Sequence, residues 1–310
     1  MKGYVGTYAS KKLNGIYEFE YDENNDKFIG SKLYSEDQDA KYLSLYQGIL
    51  AYPYANGVKM ISDHQSYQVE AEMHVPCFIT QDETYIYTAN YHDGTIMRYE
   101  KKAEGMVPAG SIFIQKAAGS HQVILSENEL IVPCRLLDYV NVYDRANLTL
   151  KQQIIFPVSS GPRHGMLSND ESRLYLVSEN SCELFTIDMT NYQIIHTLPL
   201  LKHDEQGGGA AIRKSSDERF LYISVREINQ IYVVDVKKMV IVQTISSGGD
   251  HPRDIALSPD EQVLFVANRF SDSLIAFHRD EQNGQLTYKD QLNGLVEGVS
   301  IVCKEECFHE

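Results

Sequence analysis

Histidine, glutamate and arginine side chains recur at equivalent positions from residue 90 onwards. His121, Arg163 and Arg253 each stand five residues before the serine of a polar turn, and Ala210 holds the same position before Ser215. A second set closes five apolar runs: Asn90, Arg135, Glu179, Arg226 and Arg269. A histidine titrates near neutrality and can act as a general base, whereas the planar arginine fork suits oxygen anions. These residue types predict chemistry on an anionic, oxygen-rich small molecule.

These positions recur because the chain repeats itself. The five apolar runs end at residues 90, 135, 179, 226 and 269, so the steps between them are 45, 44, 47 and 43 residues. A polar turn such as SNDE at 168 or SPDE at 258 precedes each run. A second apolar run begins five residues after the first run ends. Each unit therefore predicts strand, turn, strand, short loop, strand and a more variable fourth strand. Four strands in about 44 residues are typical of one propeller blade.

Seven such units nearly fill the 310-residue chain. The less regular first 80 residues would supply two blades, and GVSIVC (298–303) would form the innermost strand of the last blade, closed by strands from the N-terminus. The sequence therefore predicts an all-β, seven-bladed β-propeller with four-stranded antiparallel blades, in a single domain over residues 1–310. Within each blade, the start of the first strand and the end of the second lie at the same face. Both sets of side chains should therefore surround one mouth of the central channel.

The composition excludes several classes of partner. A formal net charge of −15 disfavours nucleic acid and anionic membranes, because both require a basic surface. The N-terminus has no apolar signal segment and no run approaches 18 apolar residues, so we expect neither a signal peptide nor a membrane span. Five scattered cysteines favour a reducing cytoplasm, and the close pair Cys303 and Cys307 beside His309 is interpreted as free thiols. We expect a monomer or a weak homodimer.

Several segments resemble the seven-bladed lactonase family, which includes propeller-type 6-phosphogluconolactonase and fungal carboxymuconate lactonizing enzyme. The resemblance extends from Tyr4 to about Cys303. It is carried by GPRHGMLSNDESRLYLVSE (161–179), HPRDIALSPDEQVLFVANRFSDSLIAF (251–277), TANYHDG (88–94), SHQVIL (120–125) and the YVGTY opening. Three positions depart from the family pattern: Gly119 and Phe78 stand where the family often has histidines, and Cys134 where it often has an aspartate.

The resemblance implies an active site of His121, Arg163, Glu179 and Arg226, all of which the repeat register also places at the mouth. Opening a lactone requires an activated water, a stabilised oxyanion and a protonated leaving alkoxide. We expect His121 to act as general base and Arg163 or Arg226 to stabilise the oxyanion. Glu179 would either orient the imidazole or deprotonate the water itself.

A second group of residues is predicted to bind the substrate. Arg253 and Arg269, beside His164, would hold a phosphate or carboxylate. For His164, a hydrogen bond that fixes a neighbouring turn is an equally good interpretation. Asn90 and Asn268, at the ends of second strands, complete the predicted substrate contacts.

These residues, together with the resemblance, predict a lactonase, a hydrolase acting on a cyclic carboxylic ester. The resemblance implies 6-phosphogluconolactone as the substrate and the pentose phosphate pathway of the cytoplasm as the setting. Two alternatives remain open: a muconate-type lactonizing cycloisomerase, and a propeller that serves only as a binding scaffold. We expect no metal or organic cofactor, since the sequence has no HExxH, GxxxxGK[ST] or GxGxxG motif.

Overall fold

The computed structural model describes residues 1–8, 15–62 and 65–304, and every regular element in them is a β-strand. The strands form seven four-stranded antiparallel sheets. The predicted all-β, seven-bladed propeller is therefore confirmed. Cys307 and His309 lie outside the described residues. In the described part of the chain, no helix is long and apolar enough to cross a bilayer.

The two ends of the chain share one sheet, as predicted, and this sheet is called blade 7. Its strands are β1 (Lys2–Thr7), β2 (Ile16–Asp22), β3 (Lys27–Ser35) and β28 (Gly298–Cys303). The strand order is β28-β1-β2-β3, so the C-terminal strand is innermost and pairs with the N-terminal strand through Val5 opposite Ile301. This closure leaves neither terminal strand as an exposed edge.

Blades 1 to 3 follow along the chain, each with its first strand innermost. Blade 1 contains β4 (Ser44–Tyr46), β5 (Ile49–Tyr54), β6 (Gly57–Ser62) and β7 (Gln65–Glu70). Blade 2 contains β8 (Phe78–Gln81), β9 (Tyr85–Asn90), β10 (Thr95–Lys102) and β11 (Gly105–Phe113). Blade 3 contains β12 (Ile124–Leu125), β13 (Glu129–Cys134), β14 (Tyr139–Asp144) and β15 (Leu150–Ile155).

Blades 4 to 6 are the most regular and have the same internal order. Blade 4 contains β16 (Pro162–Leu167), β17 (Arg173–Ser178), β18 (Glu183–Asp188) and β19 (Gln193–Pro199). Blade 5 contains β20 (Gly208–Lys214), β21 (Phe220–Arg226), β22 (Gln230–Asp235) and β23 (Val240–Ser246). Blade 6 contains β24 (Pro252–Leu257), β25 (Val263–Asn268), β26 (Ser273–Arg279) and β27 (Leu286–Asn293).

The hydrophobic core is divided among the interfaces between neighbouring blades. Seven clusters of buried apolar side chains occur, one at each interface. At the junction of blades 6 and 7, Phe19 and Phe265 pack with ring centroids 5.2 Å apart. Ile16 and Tyr52 belong to the buried apolar cluster between blades 7 and 1. Because each blade buries both faces against its neighbours, the ring is stable only when it is closed.

The SxDE turns fix the face opposite the predicted mouth. In blade 5 the Ser215 hydroxyl donates to Asp217 at 2.6 Å, which holds the turn between the first two strands. The turn glutamate reaches the preceding blade, because Glu218 accepts a hydrogen bond from the Asn169 backbone N–H at 2.6 Å. Glu261 does the same for Ser216 at 2.7 Å. The conspicuous turn motif therefore joins neighbouring blades and lies away from the mouth.

Candidate active site

Seven residues at equivalent backbone positions surround the channel mouth, one on or just ahead of each innermost strand. In each blade a residue at the end of the innermost strand pairs with the second strand, as Leu125 does with Leu130 in blade 3. The mouth position lies four residues before this paired residue. These seven mouth positions, in blades 1 to 7, are Lys41, Cys77, His121, Arg163, Ala210, Arg253 and Val299. All except Ala210 line one narrow chamber. The mouth is therefore a single site built from six of the seven blades.

A recurring backbone turn aims these side chains at the channel. In five blades the residue two places before the mouth position has a left-handed backbone, with φ between 50° and 69°: Asp39, Gly119, Gly161, His251 and Glu297. Glycine adopts this conformation without strain. At Gly119 a Cβ atom would also lie 2.8 Å from the Leu136 backbone nitrogen. The histidine that the family often has at this position would therefore require the loop around Leu136 to move.

The mouth contains an inner and an outer chamber that share five lining residues. The outer chamber has a volume of about 280 Å³, near the lower limit for small-molecule pockets. The inner chamber is much smaller, at about 20 Å³, which is room for about one water molecule. The shared residues are Tyr8, Lys41, Cys77, His121 and Arg253. These five therefore stand where a substrate in the outer chamber would meet the innermost groups.

Glu179 is the centre of an arginine cluster on one side of the mouth. Its Oε2 accepts a hydrogen bond from Arg163 Nε at 2.9 Å, and its Oε1 lies 2.7 Å from Arg135 Nη2 and 3.2 Å from Arg226 Nη2. Burial alone would raise the pKa of the Glu179 carboxyl, but the charges of Arg163, Arg226 and Arg135 outweigh it and bring that pKa to about 2. Glu179 is therefore fully ionised at neutral pH.

Arg163 is the most deeply buried member of this cluster, with 1 % of its surface exposed. Besides the bond to Glu179, its Nη1 donates to the Ala210 carbonyl. Burial, together with the charge of Arg253, lowers the pKa of Arg163 to about 9, so it remains protonated at pH 7. Its Nη2 is the remaining donor group, and the residue lines the inner chamber.

His121 and His164 form a buried pair next to this cluster. His121 Nδ1 and His164 Nε2 are 3.1 Å apart, so one imidazole donates to the other. Burial, together with the charges of Arg163 and Arg253, lowers the pKa of His121 well below its ordinary value. Burial and the charges of Arg163 and His121 lower the pKa of His164 in the same direction. Both imidazoles are therefore neutral at pH 7, and the bond between them favours the second interpretation of His164, as a residue that fixes its neighbour.

Arg226 contributes to the site through Glu179. It is buried, its Nε donates to the Gly208 carbonyl at 3.3 Å, and it does not line either chamber. In the described part of the chain, no hydrogen bond joins Glu179 to His121. The expectation that Glu179 orients the His121 imidazole is therefore not met, since His164 holds that imidazole instead.

Three of the predicted substrate contacts lie elsewhere in the structure. Asn90 is fully buried, and its amide donates to the His74 carbonyl at 2.7 Å. Asn268 is also fully buried and donates to the Ser247 carbonyl at 3.1 Å. Both side chains brace loops, because a buried amide at a strand end is satisfied by the nearest free carbonyl. The interpretation of Asn90 and Asn268 as substrate contacts is corrected accordingly.

Arg269 is the third predicted substrate contact that lies outside the pocket. Its guanidinium lies 2.9 Å from Glu297 and packs over the Tyr8 aromatic ring, 4.3 Å from the centroid. The carboxylate already balances its charge, and Arg269 lines neither chamber. Arg253 does line both chambers, with its Nη2 3.3 Å from the Tyr8 hydroxyl. Of the two arginines predicted to bind a substrate anion, the structure brings only Arg253 to the pocket.

The mouth carries a strong local positive charge. Among the described residues, Glu179 is the one carboxylate that lines either chamber, and Arg226 contacts it from behind. The cationic side chains in the linings are Lys41, Arg135, Arg163 and Arg253. An acidic protein therefore presents a basic cavity, which favours anionic small molecules. Within residues 1–8, 15–62 and 65–304, no three His, Cys, Asp or Glu side chains are grouped as ligands for a metal ion.

Sequence reasoning missed several pocket residues from the irregular first blades. Tyr8, Lys41 and Cys77 line both chambers, although no SxDE turn marks their position. A signal for Cys77 was present: it lies five residues before Asp82, whose carboxylate accepts the Tyr85 N–H at 2.7 Å. Ser126 caps the equivalent turn after His121 in the same way. The repeat was recognised in this blade, but an aspartate in place of the capping serine kept Cys77 out of the set of predicted mouth positions.

The fold and the mouth together define a closed seven-bladed β-propeller with a cationic cavity at one end of its channel. The sequence profile described as "Lactonase, 7-bladed beta-propeller" matches residues 2–303. The chain therefore belongs to the seven-bladed β-propeller lactonase family, as the resemblance of its motifs indicated.

Individual relatives agree in length and fold. The 6-phosphogluconolactonase of Bacillus subtilis (strain 168) is 24% identical, over 92% of this chain and 93% of its own. An uncharacterized protein of Staphylococcus saprophyticus is 26% identical, over 96% and 98%. Among solved structures, a Lactobacillus plantarum protein has a TM-score of 0.89 at 26% identity, over 97% of this chain and 98% of that one. The periplasmic gluconolactonase of Pseudomonas aeruginosa has the same fold, with a TM-score of 0.85 at 23% identity over 97% and 98%.

Proposed function

We propose that this protein hydrolyses a phosphorylated sugar lactone, 6-phosphogluconolactone, to 6-phosphogluconate. The observation that carries the proposal is the juxtaposition of a neutral histidine with unusually many cations in one cavity. His121 lines both chambers beside Arg163 and Arg253. A neutral imidazole can accept a proton from water, and the surrounding cations suit both the substrate anion and the oxyanion formed during the reaction.

The first chemical step uses the ring nitrogen of His121 that faces away from His164. When His121 Nδ1–H donates to His164 Nε2, the lone pair of His121 Nε2 is free to accept a proton. Water then loses a proton to Nε2 while its oxygen bonds to the lactone carbonyl carbon. In the second step the ring C–O bond breaks, and the same proton passes from Nε2 to the departing alkoxide. The products are a free hydroxyl and a carboxylic acid, which ionises.

Arg163 is the proposed oxyanion donor. Two of its nitrogens are held by Glu179 and the Ala210 carbonyl, which fixes the guanidinium plane. Nη2 remains to donate to the carbonyl oxygen as it gains charge. A rigid, desolvated donor of this kind stabilises a tetrahedral intermediate more than a mobile surface arginine would.

Glu179, Arg135 and Arg226 are proposed as positioning residues. Both carboxylate oxygens of Glu179 are engaged by arginines, so neither is free to accept a proton from water. Its contacts with three arginines instead keep Arg163 in place and balance part of the local charge. Because Arg226 lines neither chamber, we assign the oxyanion to Arg163 and the support of this cluster to Arg226.

The choice of lactone rests on charge and on the relatives. The Bacillus relative is named 6-phosphogluconolactonase, and a phosphate dianion complements the cationic cavity. As part of the same proposal, we place the reaction in the cytoplasm, where scattered unpaired cysteines are stable. The four cysteines in the described residues, Cys77, Cys134, Cys182 and Cys303, are all free thiols.

The test is lactone opening measured in a pH-stat above the spontaneous rate. We expect the purified protein to accelerate opening of 6-phosphogluconolactone, and His121→Ala or Arg163→Ala to remove at least a hundredfold of the gain, about 2.7 kcal/mol of transition-state stabilisation. His203→Ala, on an exposed loop, is the matched control and should keep full activity. Equal rates for wild type and both variants would overturn the proposal, as would turnover of muconate-like diacids without lactone opening.

A further inference from the structure

Two cations of the mouth have no carboxylate partner within the described residues. Arg135, Arg163 and Arg226 all contact Glu179, and Arg269 contacts Glu297. By contrast, the ion pairs of the described chain include none for Lys41 or Arg253, although both line the inner and the outer chamber. Positive charge without a counterion in a concave site indicates that an anion supplied by the ligand completes it.

We propose that Lys41, Arg253 and Tyr8 form the subsite for the phosphate group of the substrate. This inference rests on the proposed function and adds to it the residues that select a phosphorylated lactone. Lys41 belongs to blade 1, Arg253 to blade 6 and Tyr8 to blade 7, so the subsite spans the closure of the propeller.

Tyr8 orients the subsite. Arg253 Nη2 donates to the Tyr8 hydroxyl oxygen at 3.3 Å, which leaves the hydroxyl hydrogen free to donate to a ligand. The face of the same aromatic ring is covered by the guanidinium of Arg269, 4.3 Å from its centroid. Arg269 is itself fixed by Glu297. Arg269 therefore supports Tyr8, and the anion is left to Arg253 and Lys41.

The donor set matches a phosphate monoester. A monoester presents three terminal oxygens, and the subsite offers an ammonium, a guanidinium and a phenolic hydroxyl. Lysine binds phosphate as a compact point charge, whereas arginine donates two parallel hydrogen bonds. A carboxylate, with two oxygens, would leave part of this set unused.

The position of the subsite fits a substrate that carries a phosphate at one end and the reacting ester at the other. Tyr8, Lys41 and Arg253 share both chambers with His121, whereas Glu179 and Arg135 line only the outer one. A lactone in the outer chamber whose phosphate lies against Lys41 and Arg253 therefore has its ester group beside His121, at the entrance to the inner chamber that Arg163 lines. Different groups of residues therefore bind the phosphate end and the ester end.

The experiment compares 6-phosphogluconolactone with unphosphorylated gluconolactone in wild type, Lys41→Met and the control Lys237→Met. Lys237 is exposed on the β22–β23 turn, so both variants change the net charge equally. We expect Lys41→Met to lower kcat/KM for the phosphorylated lactone about tenfold more than for the plain one, because a charge-assisted contact is lost. Lys237→Met should leave the ratio of the two substrates unchanged. An equal loss on both substrates in Lys41→Met would overturn the subsite while leaving the lactonase proposal intact.

Binding of inorganic phosphate tests the subsite without catalysis. By titration calorimetry, we expect Lys41→Met and Tyr8→Phe to weaken phosphate binding relative to wild type and Lys237→Met, with the larger loss in Lys41→Met. This result would support the subsite even if the wild-type protein opened no lactone, an outcome that would overturn the proposed function alone. Equal phosphate affinity in all four proteins would overturn the subsite. Thermal unfolding of each variant verifies that the fold is retained.

Discussion

The two sides of the channel mouth share one backbone register but differ in sequence signature. Blades 3 to 6, called the repeat side, place His121, Arg163 and Arg253 ahead of serine-containing turns. Blades 7, 1 and 2, called the closure side, place Lys41 and Cys77 ahead of turns that lack the serine. The same pairing geometry therefore delivers side chains to the mouth whether or not the local sequence repeats.

The difference also separates two kinds of chemistry. On the repeat side Arg135, Arg163 and Arg226 are tied to Glu179 and His121 is tied to His164, so these groups are rigid, and the pKa values of Glu179 and His121 are displaced. On the closure side Lys41 is half-buried and unpaired among the described residues. A pre-organised cluster suits transition-state stabilisation, whereas an unpaired cation suits ligand binding. The ring thus assigns reaction to one side and anion recognition to the junction with the other.

Glu179→Gln should break the repeat side with the largest effect. Removing the carboxylate leaves Arg135, Arg163 and Arg226 in mutual repulsion. We expect a loss of about 3 kcal/mol in the free energy of unfolding by urea denaturation, together with at least a hundredfold loss of kcat/KM. Glu100→Gln, which removes a half-exposed pair with Lys102, should change stability by less than about 0.5 kcal/mol. Unchanged stability in Glu179→Gln would mean that the cluster does not depend on its central charge.

Stability should fall on acidification because three buried histidines of the repeat side have lowered pKa values: His251, whose pKa burial lowers to about 4, and the pair His121 and His164, which is tested here. The folded state keeps both imidazoles neutral, whereas the unfolded chain protonates them below about pH 6.5. Below that pH the free energy of unfolding should therefore decrease, by up to about 2.7 kcal/mol per pH unit for the two groups together. Urea denaturation between pH 7 and pH 5 measures this slope. The double variant His121→Gln/His164→Gln should flatten it, and His203→Gln should not; a slope identical in all three proteins contradicts the assignment.

His164→Ala should have a smaller effect on turnover. The variant removes the bond that holds the His121 imidazole and admits water beside it. We expect kcat/KM to fall about tenfold, and the acid limb of its pH profile to move up towards 6.5 as His121 is resolvated. His164→Gln, which retains a hydrogen-bonding group, should recover part of the rate. A fall in rate with an unmoved acid limb would indicate that His164 serves only the packing of the mouth.

Cys77→Ala should have the smallest effect and probes the closure side. The thiol lines both chambers, yet burial raises its pKa to about 11, so it is protonated and unreactive at pH 7. We expect kcat/KM within about threefold of wild type, because no step uses the sulfur. A loss of a hundredfold or more would identify Cys77 as a nucleophile and displace His121 from its proposed role.

Much of the fold could be predicted because the repeat is recognisable from local sequence patterns. The strand predicted to end at Asn90 does end there, and those predicted to end at Arg135 and Glu179 end one residue earlier. Alternating apolar runs and capped turns are local, so they survive without knowledge of the tertiary structure. The closure of blade 7 followed from the position of the last apolar run, GVSIVC.

The site was less predictable because its details depend on contacts between distant residues. Arg269 is diverted by Glu297, which no turn motif identifies. Asn90 and Asn268 lie at predicted mouth positions, but whether an amide faces the channel or a loop carbonyl depends on the neighbouring loop. Tyr8 and Lys41 could be recognised as pocket residues only from the strand pairing, which places the first residues of the chain beside the last blade.

A crystal structure with bound 6-phosphogluconate tests the division of the mouth most directly. We expect the phosphate within hydrogen-bond distance of Lys41, Arg253 and Tyr8, and the carboxylate formed from the lactone carbonyl beside His121 and Arg163. The reverse orientation, with the phosphate on Arg163 and the carboxylate on Lys41, would contradict the assignment of reaction and recognition to the two sides. Product bound outside the two chambers would contradict the mouth as the active site.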